Sequence, residues 1–210
     1  TDENAWTLLI GYLDGDGSLV ISNANLRLTA TDKNPKHLLL VKRLLCRLFG
    51  WKEGRHEVTI ESTELRTTLR AWDAAQLAKR GAFRFAMARA RLLYHLERTV
   101  ALPMDLWRAF GERAFSYNEA TAAGVPAGLN ILAQWDHLER RDDGTFLLTP
   151  TSLEVLRYVR SGDFQREIAA LRTVVPEDTM GVVGKKGVPY PLLERDDADD
   201  LVPWAVTRDG

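Results

Sequence analysis

One cysteine in 210 residues leaves no internal disulfide to form and rules out a cysteine-based zinc site. Cys46 falls inside the apolar stretch Leu44-Leu45-Cys46-Arg47-Leu48, where a buried, inert thiol is expected. Histidine is sparse too: His37, His56, His95 and His137 show no metal-ligand spacing. No apolar run reaches the ~18 residues of a membrane span, and Thr1-Asp2-Glu3-Asn4 is acidic and polar where a signal peptide is basic and then apolar. These absences predict a soluble, intracellular chain, cytoplasmic or nucleoid-associated, with no membrane partner. Gly181-Val182-Val183-Gly184-Lys185-Lys186-Gly187 hints at a phosphate loop, but it lacks the Walker spacing and the Ser/Thr after Lys, so no nucleotide cofactor is expected.

Charge of one sign is also missing overall, since the net charge is −1, which by itself argues against a nucleic-acid partner. The distribution differs from the total. Residues 1–100 carry 16 basic against 11 acidic side chains and residues 101–210 carry 12 against 18, so the first half is basic and the second acidic. The basic half is the candidate for phosphate contact. With 45% hydrophobic and 27% charged residues, the chain is long enough for a sizeable core and for one medium domain plus a smaller one.

Glu3 to Leu13 reads as an apolar helix halted by Gly15-Asp16-Gly17. Gly11 and Gly15 share one face of it, where missing side chains let a second helix approach closely. Two alternating runs follow, Ser18–Ser22 and Leu26–Thr31, joined by Asn23-Ala24-Asn25. They predict a hairpin with Leu19, Ile21, Leu26, Leu28 and Ala30 inward and a polar opposite face. Asn34-Pro35 supplies the cap and first turn of a helix stopped by Gly50. A second strand pair is expected around Trp51-Lys52-Glu53 and His56–Ile60, turning at Gly54-Arg55. Ser62 is then expected to cap a helix bearing Leu65, Leu69 and Trp72, and a further helix to cover Phe83 to Val100. The order is α+β, with an antiparallel sheet covered by helices on one side.

Beyond Leu102 the pattern changes to helices over Met104–Phe110, Tyr117–Ala123 and Pro126–Arg140, a hairpin around Asp143-Gly144, and a last helix Ser152–Val159. Helix, tight turn, helix and hairpin make a winged-helix arrangement. The expected units are residues 1–100, residues 101–162, and residues 163–210 as a helix plus an extended tail with the acidic cluster Glu194-Arg195-Asp196-Asp197-Ala198-Asp199-Asp200.

At Leu9-Ile10-Gly11-Tyr12-Leu13-Asp14-Gly15-Asp16-Gly17 the chain resembles the LAGLIDADG homing endonucleases, and the αββαββα order over about a hundred residues fits the same family. The resemblance implies Mg2+ or another divalent cation on the last acid of the motif, Asp16, with the carbonyl of Gly15 as a further ligand. A hard cation wants oxygen donors and polarises a phosphodiester. The single motif implies a homodimer packed through Gly11 and Gly15, and so a palindromic or near-palindromic site on double-stranded DNA.

In the family the polar sheet face reads DNA. The matching positions are Ser18, Ser22, Asn23, Asn25, Arg27, Thr29 and Thr31 from the first hairpin, with Arg55 and Thr59 from the second. Glu53, Glu57 and Glu61 oppose phosphate there. Cleaving relatives place a polar residue near the end of the second strand and a basic one near the last helix. Asp32 matches the first, where an amide is common. Lys79, Arg80 and Arg84 compete for the second, with Arg84 the catalytic candidate. The expected activity is site-specific DNA binding with Mg2+-dependent phosphodiester cleavage. The alternative is a non-cleaving regulator on the same fold. In the winged unit the recognition segment Pro126–Gln134 has no Lys or Arg, so its phosphate contribution is weak.

Overall fold

The computed structural model describes residues 1–22, 25–51, 58–125 and 128–175. Helix α1 spans Asp2–Asp16, capped by the Thr1 hydroxyl, which accepts from the Asn4 N–H. It therefore runs three residues beyond the expected end at Leu13. Ala5, Leu9 and Leu13 recur every four residues and, with Trp6, form its buried stripe. Strands β1 (Gly17–Ser22) and β2 (Asn25–Thr31) pair antiparallel, and all five expected inward residues are buried. Helix α2 (Pro35–Phe49) starts on the Asn34 side chain and ends at Gly50, whose φ of 63° closes the helix in the left-handed conformation.

The second hairpin differs from the expectation. Its strands are β3 (Val58–Glu61) and β4 (Glu64–Leu69), turning at Ser62, whose φ is 55°. Ser62 caps no helix, and residues 64–69 are a strand. Leu65 and Leu69 are four apart, a spacing that satisfies both a helical stripe and every second residue of a strand; burial of Leu65, Thr67 and Leu69 shows which period applies. The expected strand residues 52–57, with the Gly54-Arg55 turn, lie outside the described residues, as does the tail from residue 176.

The sheet order is β1-β2-β4-β3, antiparallel throughout, with the hairpins joined by β2 and β4. Helices α1 and α2 cover one face. Helices α3 (Ala71–Lys79) and α4 (Ala86–Thr99) complete the layer, with α4 against β1. The chain is thus α+β with a four-stranded antiparallel sheet and one uncovered face.

Helices α5 (Ala101–Phe110), α6 (Tyr117–Ala122) and α7 (Leu129–Gln134) follow. The last is shorter than the expected Pro126–Arg140, because Asp136 at φ 61° turns the chain into β5 (Leu138–Arg140), which pairs with β6 (Phe146–Leu148). Phe115 adds a bridge to Phe146. Helices α8 (Pro150–Val159) and α9 (Gly162–Val174) return to the first layer. One core cluster runs through both halves, and the seam carries Lys79–Glu154, Arg89–Glu167 and Glu97–Arg172 pairs at 2.6 Å each, plus Arg70–Asp136. The Tyr94 hydroxyl donates to the Val175 carbonyl at 2.6 Å. Cys46 is half-buried, not fully buried as expected. No helix among the described residues is long and apolar enough to cross a membrane.

Three buried groups make stability depend on pH. Burial pushes His95 and His137 down from 6.5 to about 4, so between those values the unfolded chain binds protons that the folded chain does not. Their contribution is present above 6.5 and is lost as pH falls toward 4. Asp73 opposes this, because burial raises it from 3.8 to about 6, and its contribution grows as pH falls through 6. Two histidines outweigh one carboxyl. Urea denaturation is expected to give a lower stability at pH 5 than at pH 7.5, by about 2–3 kcal/mol; equal stability at the two values would show that the histidines are not held neutral.

Candidate nucleic-acid interface

The C-terminal turn of α1 sorts its two carboxylates onto opposite sides, since residues two apart on a helix point about 200° apart. Asp14 is 9% exposed, whereas Asp16 is exposed. One oxygen of Asp14 accepts from the backbone N–H of Phe83 at 2.7 Å and of Arg84 at 3.2 Å, and the other from Arg84 Nε at 2.6 Å. Phe83 is buried at a φ of 61°, a region costly for a bulky side chain. The Asp14 carboxylate holds that turn in place. Arg84 remains 78% exposed, and no hydrogen bond or ion pair among the described residues links it to Asp16 or Asp32.

Asp16 stands where a helix disfavours it. The negative end of the helix dipole lies there, no basic residue occupies the last turn of α1, and Asp16 joins no ion pair among the described residues. An exposed oxygen donor beside the unpaired carbonyls of a helix end, Gly15 included, suits a hard cation. Among the described residues no group of three His, Cys, Asp or Glu side chains could hold a metal. A cation at Asp16 therefore needs further oxygens from water, phosphate or a second copy of the chain.

One turn earlier, Tyr12 shares the Asp16 side of the helix. Its hydroxyl donates to Asp32 Oδ2 at 3.3 Å, and burial and the nearby Asp32 and Asp16 charges push its pKa up to about 12. Asp32 also receives the Asn34 N–H at 2.7 Å and lies 2.9 Å from His37 Nδ1. The Asn34 N–H, then His37, hold its carboxyl below the usual range. The structure thus brings Asp32 near Asp16 through Tyr12, while Arg84 is taken by Asp14. The only advance signals for Tyr12 and His37 were the four-residue step to Asp16 and the three-residue step from Asn34.

A Cβ at Gly11 or Gly15 would meet nothing within 4 Å, and Leu8 on the same face is 52% exposed. At Gly17 a Cβ would lie 2.5 Å from the Leu13 carbonyl oxygen. The last glycine of the motif is therefore required by the helix-to-strand junction, a role the sequence reading missed.

The uncovered sheet face places Ser18, Thr29, Arg66 and Thr59 in one row and Arg27 beside Thr68 in the next. Thr31 stands at its α1 end opposite Glu64, and Asn25 at the other. Arg66 and Thr68 were not among the expected residues because their segment reads as helix. Arg66 pairs with Glu64 at 2.5 Å and Glu61 at 3.7 Å, whereas Arg27 has no ion-pair partner among the described residues. Asn23 and Arg55 lie outside the described residues; Ser22 is in β1, without a described side chain.

No protein-family profile matches this chain, and no curated protein matches it in sequence.

Two substitutions separate the roles at the end of α1. Asp14→Ala strands buried donors and is expected to cost about 3 kcal/mol in urea denaturation, whereas Asp16→Ala relieves the dipole clash and leaves stability unchanged or raised by about 0.3–1 kcal/mol; similar losses at both sites would contradict this division. Gly17→Ala is expected to lower stability by about 1–3 kcal/mol through the clash with the Leu13 backbone. Thermal melting of Gly17→Ala beside Gly11→Ala checks it, and a wild-type melting temperature at Gly17→Ala overturns it.

Proposed function

We propose that this chain is a LAGLIDADG-type protein that binds a specific double-stranded DNA site as a homodimer and cleaves its phosphodiesters with Mg2+ or another divalent cation. The observation that carries this reading is the end of α1. There an unfilled face of Leu8, Gly11 and Gly15, an exposed Asp16 and an uncovered polar sheet face meet at one corner of the fold. A second copy packed across the glycines buries Leu8 and aligns two sheet faces along one duplex.

Asp16 and the Gly15 carbonyl are the donors that would hold the cation. Bound there, it supplies Lewis-acid polarisation of a phosphodiester. The chain's own residues orient and bind. Asp14 keeps the α1 end rigid, Arg84 offers its exposed guanidinium to phosphate, and Ser18, Arg27, Thr29, Thr31 and Thr59 present donors and acceptors to the grooves. Arg27 and Arg66 face Glu61 and Glu64, so the phosphate term per protomer is small and a dimer doubles it. The α5–α6–α7 and β5–β6 arrangement supports a winged-helix reading of the second half.

The second reading is a non-cleaving DNA-binding regulator on the same scaffold. It is favoured by one observation: Asp32 is held by Asn34, His37 and Tyr12, and Arg84 by Asp14, so both residues expected beside Asp16 are taken up within the fold.

Selection from a random duplex library in Mg2+ and, in parallel, in Ca2+ tests both. The expected outcome is a near-palindromic site cut in Mg2+, with Asp16→Asn lowering the cutting rate at least ~100-fold while binding persists. Cutting at the wild-type rate by Asp16→Asn sinks the metal assignment, and binding without any cleavage by the wild type selects the second reading. Gly11→Leu is expected to shift the sedimenting species from dimer to monomer.

A further inference from the structure

A cleft of about 760 Å3 separates the uncovered sheet face from the end of α7. Arg27, Arg66, Arg70 and Thr68 line its sheet side, and Gln134 and Trp135 its α7 side. Its α7 side, with Asn25, Arg70, Gln134 and Trp135, lies toward the strand ends remote from Asp16, while Thr59, Arg66 and Glu61 carry its lining along the sheet toward the β3–β4 turn. Asn25, which opens β2, lines the cleft, whereas Ala30 near the other end pairs with Gly17, and the five residue steps between them span about 17 Å. Neither Gly15 nor Asp16 lines the cleft, so it and the metal centre proposed above use different groups.

The two sides differ in chemistry. Arg27 has no ion-pair partner among the described residues. Arg66 is shared between Glu61 and Glu64, and Arg70 is paired with Asp136 across the seam. Trp135 is 41% exposed; among the described residues its indole N–H and the Gln134 amide make no hydrogen bond, and its ring makes no aromatic or cation contact. An open indole face, a free amide and a guanidinium in no ion pair among the described residues, converging on one cleft, are the groups that recognise a base and a phosphate together. The volume lies in the range that holds one small ligand, about 300–1,000 Å3, enough for one or two nucleotides.

We propose that this cleft binds an unpaired nucleotide, its base stacked on Trp135 and hydrogen-bonded by Gln134, its phosphate on Arg27 with Arg66 and Arg70 behind. The proposal rests on the DNA-binding reading of the sheet in sharing Asn25, Arg27 and Thr59, whereas Gln134 and Trp135 belong to the cleft alone. Glu61 also lines the cleft, and its carboxylate opposes phosphate. The acidic second half thus contributes stacking and the basic first half contributes charge, which gives the uncharged α7 end a role.

The test uses the full chain and fluorescence anisotropy with a labelled thymidine hexanucleotide, a blunt duplex of the same length as the selected site, and free thymidine monophosphate as competitor. The expected result is hexanucleotide binding weakened roughly tenfold or more by Trp135→Ala, restored by Trp135→Phe, and strengthened by Glu61→Gln. Arg27→Ala is expected to reduce the slope of log affinity against log salt by about 0.7. Competition by the mononucleotide at similar concentration assigns the site to free nucleotides, and competition only by the oligomer assigns it to a strand; both support the shared chemistry. No hexanucleotide binding, or binding unchanged in Trp135→Ala, overturns it. Duplex binding by the wild type with no hexanucleotide binding leaves the sheet reading standing while the cleft falls, and hexanucleotide binding lost in Trp135→Ala with no duplex binding does the reverse.

Discussion

The buried carboxylate of Asp14 is the constraint on which the rest of the site depends. Moving a carboxylate out of water costs several kcal/mol, and here three donors from Phe83 and Arg84 offset that cost. They come from the connection between α3 and α4, so one side chain ties the first helix of the chain to the last layer of its first half. Half of the other ion pairs among the described residues join two exposed side chains, such as Arg47–Asp2 and Arg157–Glu112, and pairs of that kind contribute about 0–1 kcal/mol each. The Asp14 anchor outranks them. It fixes the rotation of the helix end, and that rotation turns Asp16 outward and delivers Gly17 into β1 without room for a side chain.

The parts of the fold legible in the sequence were those set by local chemistry. Asn34, Pro35 and Gly50 bound α2 because cap, fixed φ and left-handed stop act within a few residues. The first hairpin was legible because five inward residues alternate without ambiguity. The second was displaced because Leu65 and Leu69 fit two periods at once, and only pairing with β2 decides between them. The place of Asp16 at the exposed end of α1 was legible because Gly15-Asp16-Gly17 stops the apolar helix. The docking of Asp14 on residue 83 and the placing of Asp32 against Tyr12 were not, because each joins residues 20 or 69 positions apart and no local pattern encodes such a contact.

The division of charge between the halves takes on a physical meaning at their seam. Helices α3 and α4 face α8 and α9 across ion pairs and a common apolar core, so the halves share one body in the structure. An acidic unit lodged beside a sheet whose cations are already half-neutralised cannot add phosphate affinity. It adds surface instead: exposed Ile131 and Trp135, four apart at α7, with Gln134 between them. Stacking and amide chemistry lose little to salt, whereas phosphate pairing loses much, so the two sides of the cleft respond differently to ionic strength.

The glycine face of α1 is the feature least explained by a lone chain. Each helical glycine costs about 0.8–1 kcal/mol relative to alanine, and Gly11 and Gly15 have open space where a methyl group would fit. Leu8 adds exposed apolar surface on the same stripe, and Asp16 adds a carboxylate at the wrong helix end. Three of these departures, Leu8, Gly11 and Gly15, lie on one stripe away from buried Ala5, Leu9 and Leu13, and the fourth, exposed Asp16, ends the same helix. Departures so concentrated mark where a fold serves something other than its own stability. A second helix backbone across Gly11 and Gly15 would cover Leu8, and a cation with phosphate oxygens would satisfy Asp16. One dimeric complex on DNA would supply both.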